Sequence, residues 1–214
     1  MIKAIVFDFD GTITDSVDIK TRAFAELYRP YGESVEKKVV EYHLAHGGVS
    51  RFDKFKFFHK EFLNIDLENN EVQELANNFS TLVIDKVVDA PYISGALEFI
   101  SNNYQIYDMY ISTATPTDEI REILDRKKLT HYFKEIKGSP TSKINHVKQI
   151  IENNNYLRNE IIFIGDSGSD RDAARENSIL FVAVMSGVGM EHEEYKINDL
   201  NELMPLLNSF MSSS

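Results

Sequence analysis

The strongest constraint on this chain lies in its first eleven residues. From Ala4 through Phe7 the run Ala-Ile-Val-Phe is apolar on both alternating faces, the pattern of a strand covered on both sides within a parallel sheet. Asp8 interrupts that run, and Asp10 follows it directly before Gly11. Positions two apart in an extended chain share a face, so both carboxylates emerge together at the carboxyl end of the strand. A turn accounts for Asp10-Gly11 but not for Asp8. An unpaired carboxylate buried in an apolar strand is costly. Either a cation keeps both acids ionised, or one keeps a proton and serves as an acid.

Further apolar, β-branched runs at 106–112, 160–164 and 180–184, and a weaker one at 133–137, alternate with helical patterns at 117–127, 141–153 and 170–176. Such alternation predicts right-handed βαβ units, an α/β Rossmann-like fold with a mostly parallel sheet. Residues 16–90 break it: apolar positions recur there at helical spacing, as in Phe24, Leu27, Tyr28, then Val35, Val39, Val40, Leu44, then Phe52, Phe55, Phe58, Phe62. This predicts a helical bundle, 16–90, inserted into a core made of 1–15 and 91–214. Ser94 is expected to cap the next helix, and Ser209–Ser214 to be a frayed tail.

Composition narrows the partners. The 214 residues carry a net charge of −11, which repels nucleic acid, and Arg51-Phe52-Asp53-Lys54-Phe55-Lys56 reads as a solvated helix face rather than a binding stripe. No apolar run approaches the roughly 20 residues of a membrane helix. The absence of cysteine excludes disulfides and a thiol nucleophile and fits a cytoplasmic setting. A monomer or homodimer acting on a small molecule is expected.

Three more strand ends carry chemistry. Gly165-Asp166-Ser167-Gly168-Ser169-Asp170 places two acids around a helix start, where a carboxylate can cap, although capping needs only one of them. Oxygen ligands converging from two strand ends suit Mg²⁺. Ser112-Thr113-Ala114-Thr115-Pro116 ends another strand, with Pro116 in a first helical turn, Thr115 as its cap, and hydroxyls and N–H groups facing an anion. Lys143 lies near a helix start, where the dipole disfavours a cation unless an anion is close.

Taken in order, Asp8-Phe9-Asp10-Gly11-Thr12, Thr113, Lys143 and Gly165-Asp166 through Asp170 resemble the haloacid dehalogenase-like hydrolases, in the phosphoglycolate-phosphatase-like branch with a mobile helical cap. The resemblance implies an Mg²⁺-dependent phosphatase acting on a small phosphomonoester, such as a sugar phosphate or a phosphoglycolate-like metabolite. Asp8 would be the nucleophile that forms an aspartyl-phosphate, and Asp10 the acid and base. Thr113, the Ala114 backbone and Lys143 would hold the phosphoryl group, with Ser112 competing for the hydroxyl role. Asp8, the Asp10 carbonyl, Asp166 and Asp170 would hold the metal. A phosphomutase of the β-phosphoglucomutase type is the alternative enzyme, and a catalytically silent binding protein the non-enzyme one. In the cap, His46, Gly47 and Arg51 are expected near the substrate, Arg51 pairing with a second anionic group.

Overall fold

The computed structural model of the protein describes residues 1–186 and 189–212. Its strands are β1 (Ala4–Phe7), β2 (Asp108–Pro116), β3 (Glu135–Ser139), β4 (Ile161–Gly165), β5 (Leu180–Val184) and the short β6 (Lys196–Ile197). They form one parallel sheet in the order β3-β2-β1-β4-β5-β6. The chain steps outward from β1 to β3, then returns to β4 on the other side of β1. Strand order therefore reverses between β1 and β4, and the crevice outside the carboxyl ends of such a pair is where open α/β sheets bind ligands.

Side-chain alternation along β1 builds both layers. Ile5 and Phe7 join an apolar cluster with α5 (Ala96–Asn103), α6 (Thr117–Arg126) and α9 (Leu203–Ser212). Ala4 and Val6 join a second cluster with α7 (Lys143–Asn154) and α8 (Gly168–Glu176). Phe7 is paired with Ile111 on one side and Ile164 on the other. The next residues, Asp8, Ser112 and Gly165, thus stand at one level, and the Asp8 N–H donates to the Ile164 carbonyl at 2.9 Å.

Between β1 and α5 lie α1 (Val17–Tyr28), α2 (Glu33–Ala45), α3 (Arg51–Phe58, continued by a π-helical turn to Leu63) and α4 (Asn69–Asp89). Phe24 anchors this insertion, its ring 4.4 Å from Phe79, 5.6 Å from Phe55 and 5.7 Å from Phe58. These aromatics belong to the same apolar cluster as Ile5 and Phe7, so one continuous core runs from the helices into the sheet.

Several expectations shift. The second strand begins at Asp108, not 106: Ile106 sits in a turn and is 67% exposed, its N–H bonded to the Asn103 carbonyl. Similarly, β3 starts two residues late, after a 3₁₀ turn through Tyr132. Gly95, in a left-handed conformation, precedes α5 in place of a Ser94 cap, and the Ser94 hydroxyl instead accepts from Asn201. Ser209 through Ser212 extend α9 rather than fraying, with Phe210 packed on Tyr195; residues 213–214 lie outside the described residues. In α2 the buried stripe is Val39 and His43, while Leu44 is 45% exposed. The helix is turned by one residue from the purely apolar phase because His43 packs on the Phe24 ring at 4.8 Å.

Candidate functional site

The floor of the site is carboxylate. Asp8 follows β1, Asp166 follows β4, and Asp170 stands in the first turn of α8; all three are buried, and one oxygen of each lies within 4.8 Å of the others. Glycines make this approach possible. A Cβ on Gly165 would come within 2.4 Å of the Asp170 carboxyl carbon, and one on Gly11, whose φ is +78°, within 2.1 Å of Asp166 Oδ2. Asp170 takes the capping role as well: Oδ2 accepts from the Ser167 N–H and hydroxyl, while Oδ1 accepts from Lys143 Nζ at 2.6 Å. Lys143 also reaches Asp8 Oδ2 at 2.8 Å, which supplies the anion its helix-start position requires.

The charge of this floor is unbalanced. Burial first, and then the Asp170 carboxylate, push Asp8 up to about 7 despite Lys143 beside it. Asp166 is likewise raised well above the carboxylate range by burial and by Asp8 and Asp170. Burial opposes the Lys143 charge, but Asp170 and Asp8 outweigh it and hold the ammonium protonated more firmly than usual. With all three carboxylates ionised, one ammonium would leave two negative charges, which is why Asp8 and Asp166 hold their protons so tightly here. That deficit, with oxygen donors alone at the cluster, fits a hard divalent cation such as Mg²⁺ better than zinc.

Asp10 belongs to a different group. Its carboxylate accepts from Ser16 Oγ at 2.6 Å, from Thr115 Oγ1 at 3.0 Å and from Lys20 Nζ, which also reaches Thr115 Oγ1 at 2.7 Å. Burial alone would raise its pKa, but Lys20, Ser16 and Thr115 together hold Asp10 below the usual range. Its side chain is thus an ionised partner of Lys20 and lies outside the carboxylate trio. Thr115 is consequently no helix cap; Pro116 precedes α6 and the Thr115 side chain serves Asp10. Lys20 escaped the sequence reading, because nothing local marks it. It sits one helical turn after Ser16, and its partners are fixed only when α1 folds back over the sheet edge.

Strand alternation separates Ser112 from Thr113. The Ser112 hydroxyl pairs with His146 Nδ1 at 3.0 Å, on the α7 side of the sheet, whereas Thr113 and Ala114 line the cavity. This cavity, of about 180 Å³, is floored by Asp8, Asp10, Asp166 and Lys143 and roofed by residues of α1 to α4 and the loop after α2.

The roof differs most from expectation. Arg51, expected to be available to a substrate anion, is 4% exposed and forks onto Glu119 of α6, at 2.7 Å and 2.5 Å, with Ser80 at 2.8 Å and the Phe79 ring 4.5 Å beneath. Its anionic partner comes from the chain itself. His46, also expected at the substrate, is exposed, stacked on Tyr42 at 3.9 Å, and bonded through Nδ1 to the Tyr42 carbonyl; it does not line the cavity. His43, one turn earlier, does. Gly47 lines the cavity, and a Cβ on Gly48 (φ +74°) would fall 2.0 Å from Ser169 Oγ and 3.1 Å from Lys143 Nζ. Lys54, read as part of a solvated face, is 2% exposed and bonds to His43 Nδ1 at 2.8 Å. Positions 51, 54, 55 and 58 form the inward stripe of α3, so two cations face in with two phenylalanines.

A family model described as haloacid dehalogenase-like hydrolase matches residues 5–184. The chain belongs to that family. Among curated relatives it is 25% identical over 197 residues to a phosphorylated carbohydrates phosphatase of Thermotoga maritima, covering 83% of this chain and 82% of the relative. It is 26% identical over 183 residues to a phosphoglycolate phosphatase of Aliivibrio fischeri, covering 81% and 80%. Among solved structures, a β-phosphoglucomutase from Clostridium difficile superimposes with a TM-score of 0.79 at 20% identity, covering 99% of this chain and 100% of that one, a likeness of fold. With the family stand the expected Rossmann-like α/β fold and the expected class, a hydrolase. Among the described residues, no helix is long and apolar enough to cross a membrane.

Proposed function

We propose that this haloacid dehalogenase-like hydrolase is a phosphatase that cleaves a small phosphomonoester through an aspartyl-phosphate on Asp8. The observation that carries the reading is the convergence of Asp8, Asp166 and Asp170, with Lys143 paired to Asp8 and Asp170, at the floor of a cavity. Both curated relatives are named phosphatases. Asp8, Asp166 and Asp170, with the Asp10 backbone carbonyl, would hold Mg²⁺, which would cancel the repulsion between carboxylate and phosphate.

The chain's own groups divide the reaction into two steps. An Asp8 oxygen attacks phosphorus while the ester P–O bond breaks, and Asp10 donates a proton to the departing alkoxide. Asp10 is ionised in the free protein, so this role needs the proton that the incoming phosphate's negative charge draws to it. Water then attacks the phosphoryl group, Asp10 takes its proton, and Asp8 and phosphate part. Lys143, Thr113 and the Ala114 backbone hold the equatorial oxygens. Lys20, Ser16 and Thr115 orient the Asp10 carboxylate. Residues 16–90 act as a cap moving on 1–15 and 91–214 about hinges near 14–16 and 88–91, its closure excluding bulk water from the aspartyl-phosphate.

The test is phosphate release from a panel of small phosphate esters, with and without Mg²⁺. Metal-dependent release of free phosphate supports the reading. An isomerised sugar phosphate without free phosphate would replace it with a mutase, and binding without turnover would replace it with a silent receptor.

A further inference from the structure

The roof of the cavity holds a charge that phosphoryl transfer does not use. Lys54 is buried, lines the cavity and forms no ion pair among the described residues. Its polar contact is His43 Nδ1. An ammonium has donors only, so Nδ1 accepts, and the imidazole proton then sits on Nε2. Nε2 is itself buried without a hydrogen-bond partner among the described residues. Two neighbouring donors therefore lack an oxygen, and a buried ammonium without counter-charge is costly. Burial, then Lys20 and Lys143, push Lys54 down to about 7; burial first and Lys54 next push His43 down to about 2, so the ring is neutral. Each of the other cations lining the cavity has its acid: Lys20 has Asp10, Lys143 has Asp8 and Asp170, and Arg51 has Glu119.

We propose that Lys54, with His43 beside it, receives a carboxylate at the end of the substrate remote from its phosphate, so that the substrate is a short phosphorylated carboxylic acid. This rests on the phosphatase reading. Protonated Lys54, the form that an adjacent carboxylate favours, and one neutral donor match a monoanion, whereas a second phosphate would bring roughly two negative charges. The cavity, of about 180 Å³ and partly open to solvent, admits a short acid of this kind.

The experiment measures kcat/KM with Mg²⁺ for 3-phosphoglycerate, for glycerol 3-phosphate, which has an alcohol in place of the carboxylate, and for propane-1,3-diol bisphosphate. The wild type favours the acid over the alcohol by about tenfold or more, the usual strength of a hydrogen bond to a charged group. Lys54→Met brings that ratio close to one, and Lys54→Arg retains most of it. If Lys54→Met does not fold, the wild-type ratios still decide. Equal turnover of acid and alcohol, a preference for the bisphosphate, or an unchanged ratio in folded Lys54→Met overturns this assignment and leaves the phosphatase reading standing. No phosphate release from any ester overturns both.

Discussion

Floor and roof of the cavity solve opposite electrostatic problems. The floor, at the ends of β1 and β4, gathers three acids around one ammonium, while the roof, on α2 and α3, buries Arg51 and Lys54 among aromatic rings. Acids at a parallel-sheet edge are held by short loops, glycines and a capping turn, so their positions follow from the backbone. Cations in the roof are held by long side chains whose partners lie far away in sequence, Glu119 for Arg51 above all. The floor is thus built to receive positive charge, and the roof is left with one positive charge to give.

The largest effect belongs to the floor. Asp8→Asn should lower phosphate release by about 10⁴-fold or more while leaving the fold intact, as thermal unfolding would verify; retained turnover removes Asp8 as nucleophile. Next comes the tie between roof and sheet. Arg51→Ala leaves Glu119 buried and unpaired and should destabilise the protein by about 3–5 kcal/mol in urea unfolding. Replacing both partners by apolar residues, Arg51→Met with Glu119→Leu, should recover most of that loss. Gly11→Ala drives a Cβ into Asp166 from a left-handed backbone, and a cost of about 1–3 kcal/mol is expected together with weakened Mg²⁺ binding by calorimetry.

The smallest effects read the two surfaces against pH. Asp8 has a folded pKa near 7, above its ordinary 3.8. Its contribution to stability is full below about pH 4 and is lost as pH rises through 7 in the metal-free protein. Mg²⁺ should therefore raise Tm more at pH 8 than at pH 5. Lys54 runs the other way: its folded pKa of about 7 lies below 10.5, so its contribution is present above that value and lost as pH falls towards 7. Lys54→Met should accordingly raise Tm relative to wild type more at pH 6 than at pH 10. The same pH dependence for both surfaces would erase the distinction between them.

Much of the floor was legible in the amino-acid order. Asp8 inside an apolar strand, Asp166 and Asp170 about a helix start, and Lys143 where a dipole disfavours it are each local anomalies, and four such anomalies share one sheet edge. Thr113 against Ser112 was not legible, since both are hydroxyls in one strand and only the covering of each face separates them. The roof misled more. Leu44 carried the apolar pattern of α2 better than His43, and Lys54 looked like the exposed side of α3, yet Phe24 packs on His43 and Lys54 lies over its ring at 5.6 Å.

By itself the sequence determined a doubly covered parallel strand that ends in acids, because alternation, turn chemistry and the cost of a buried carboxylate all act over a few neighbouring residues. Tertiary structure alone decided which cations meet which acids. It set the rotation of each roof helix, gave Arg51 to Glu119 and Lys20 to Asp10, and left Lys54 without a counter-ion among the described residues. Those outcomes depend on how helices distant in sequence pack on one another, and helical spacing leaves that rotation open by a residue in either direction.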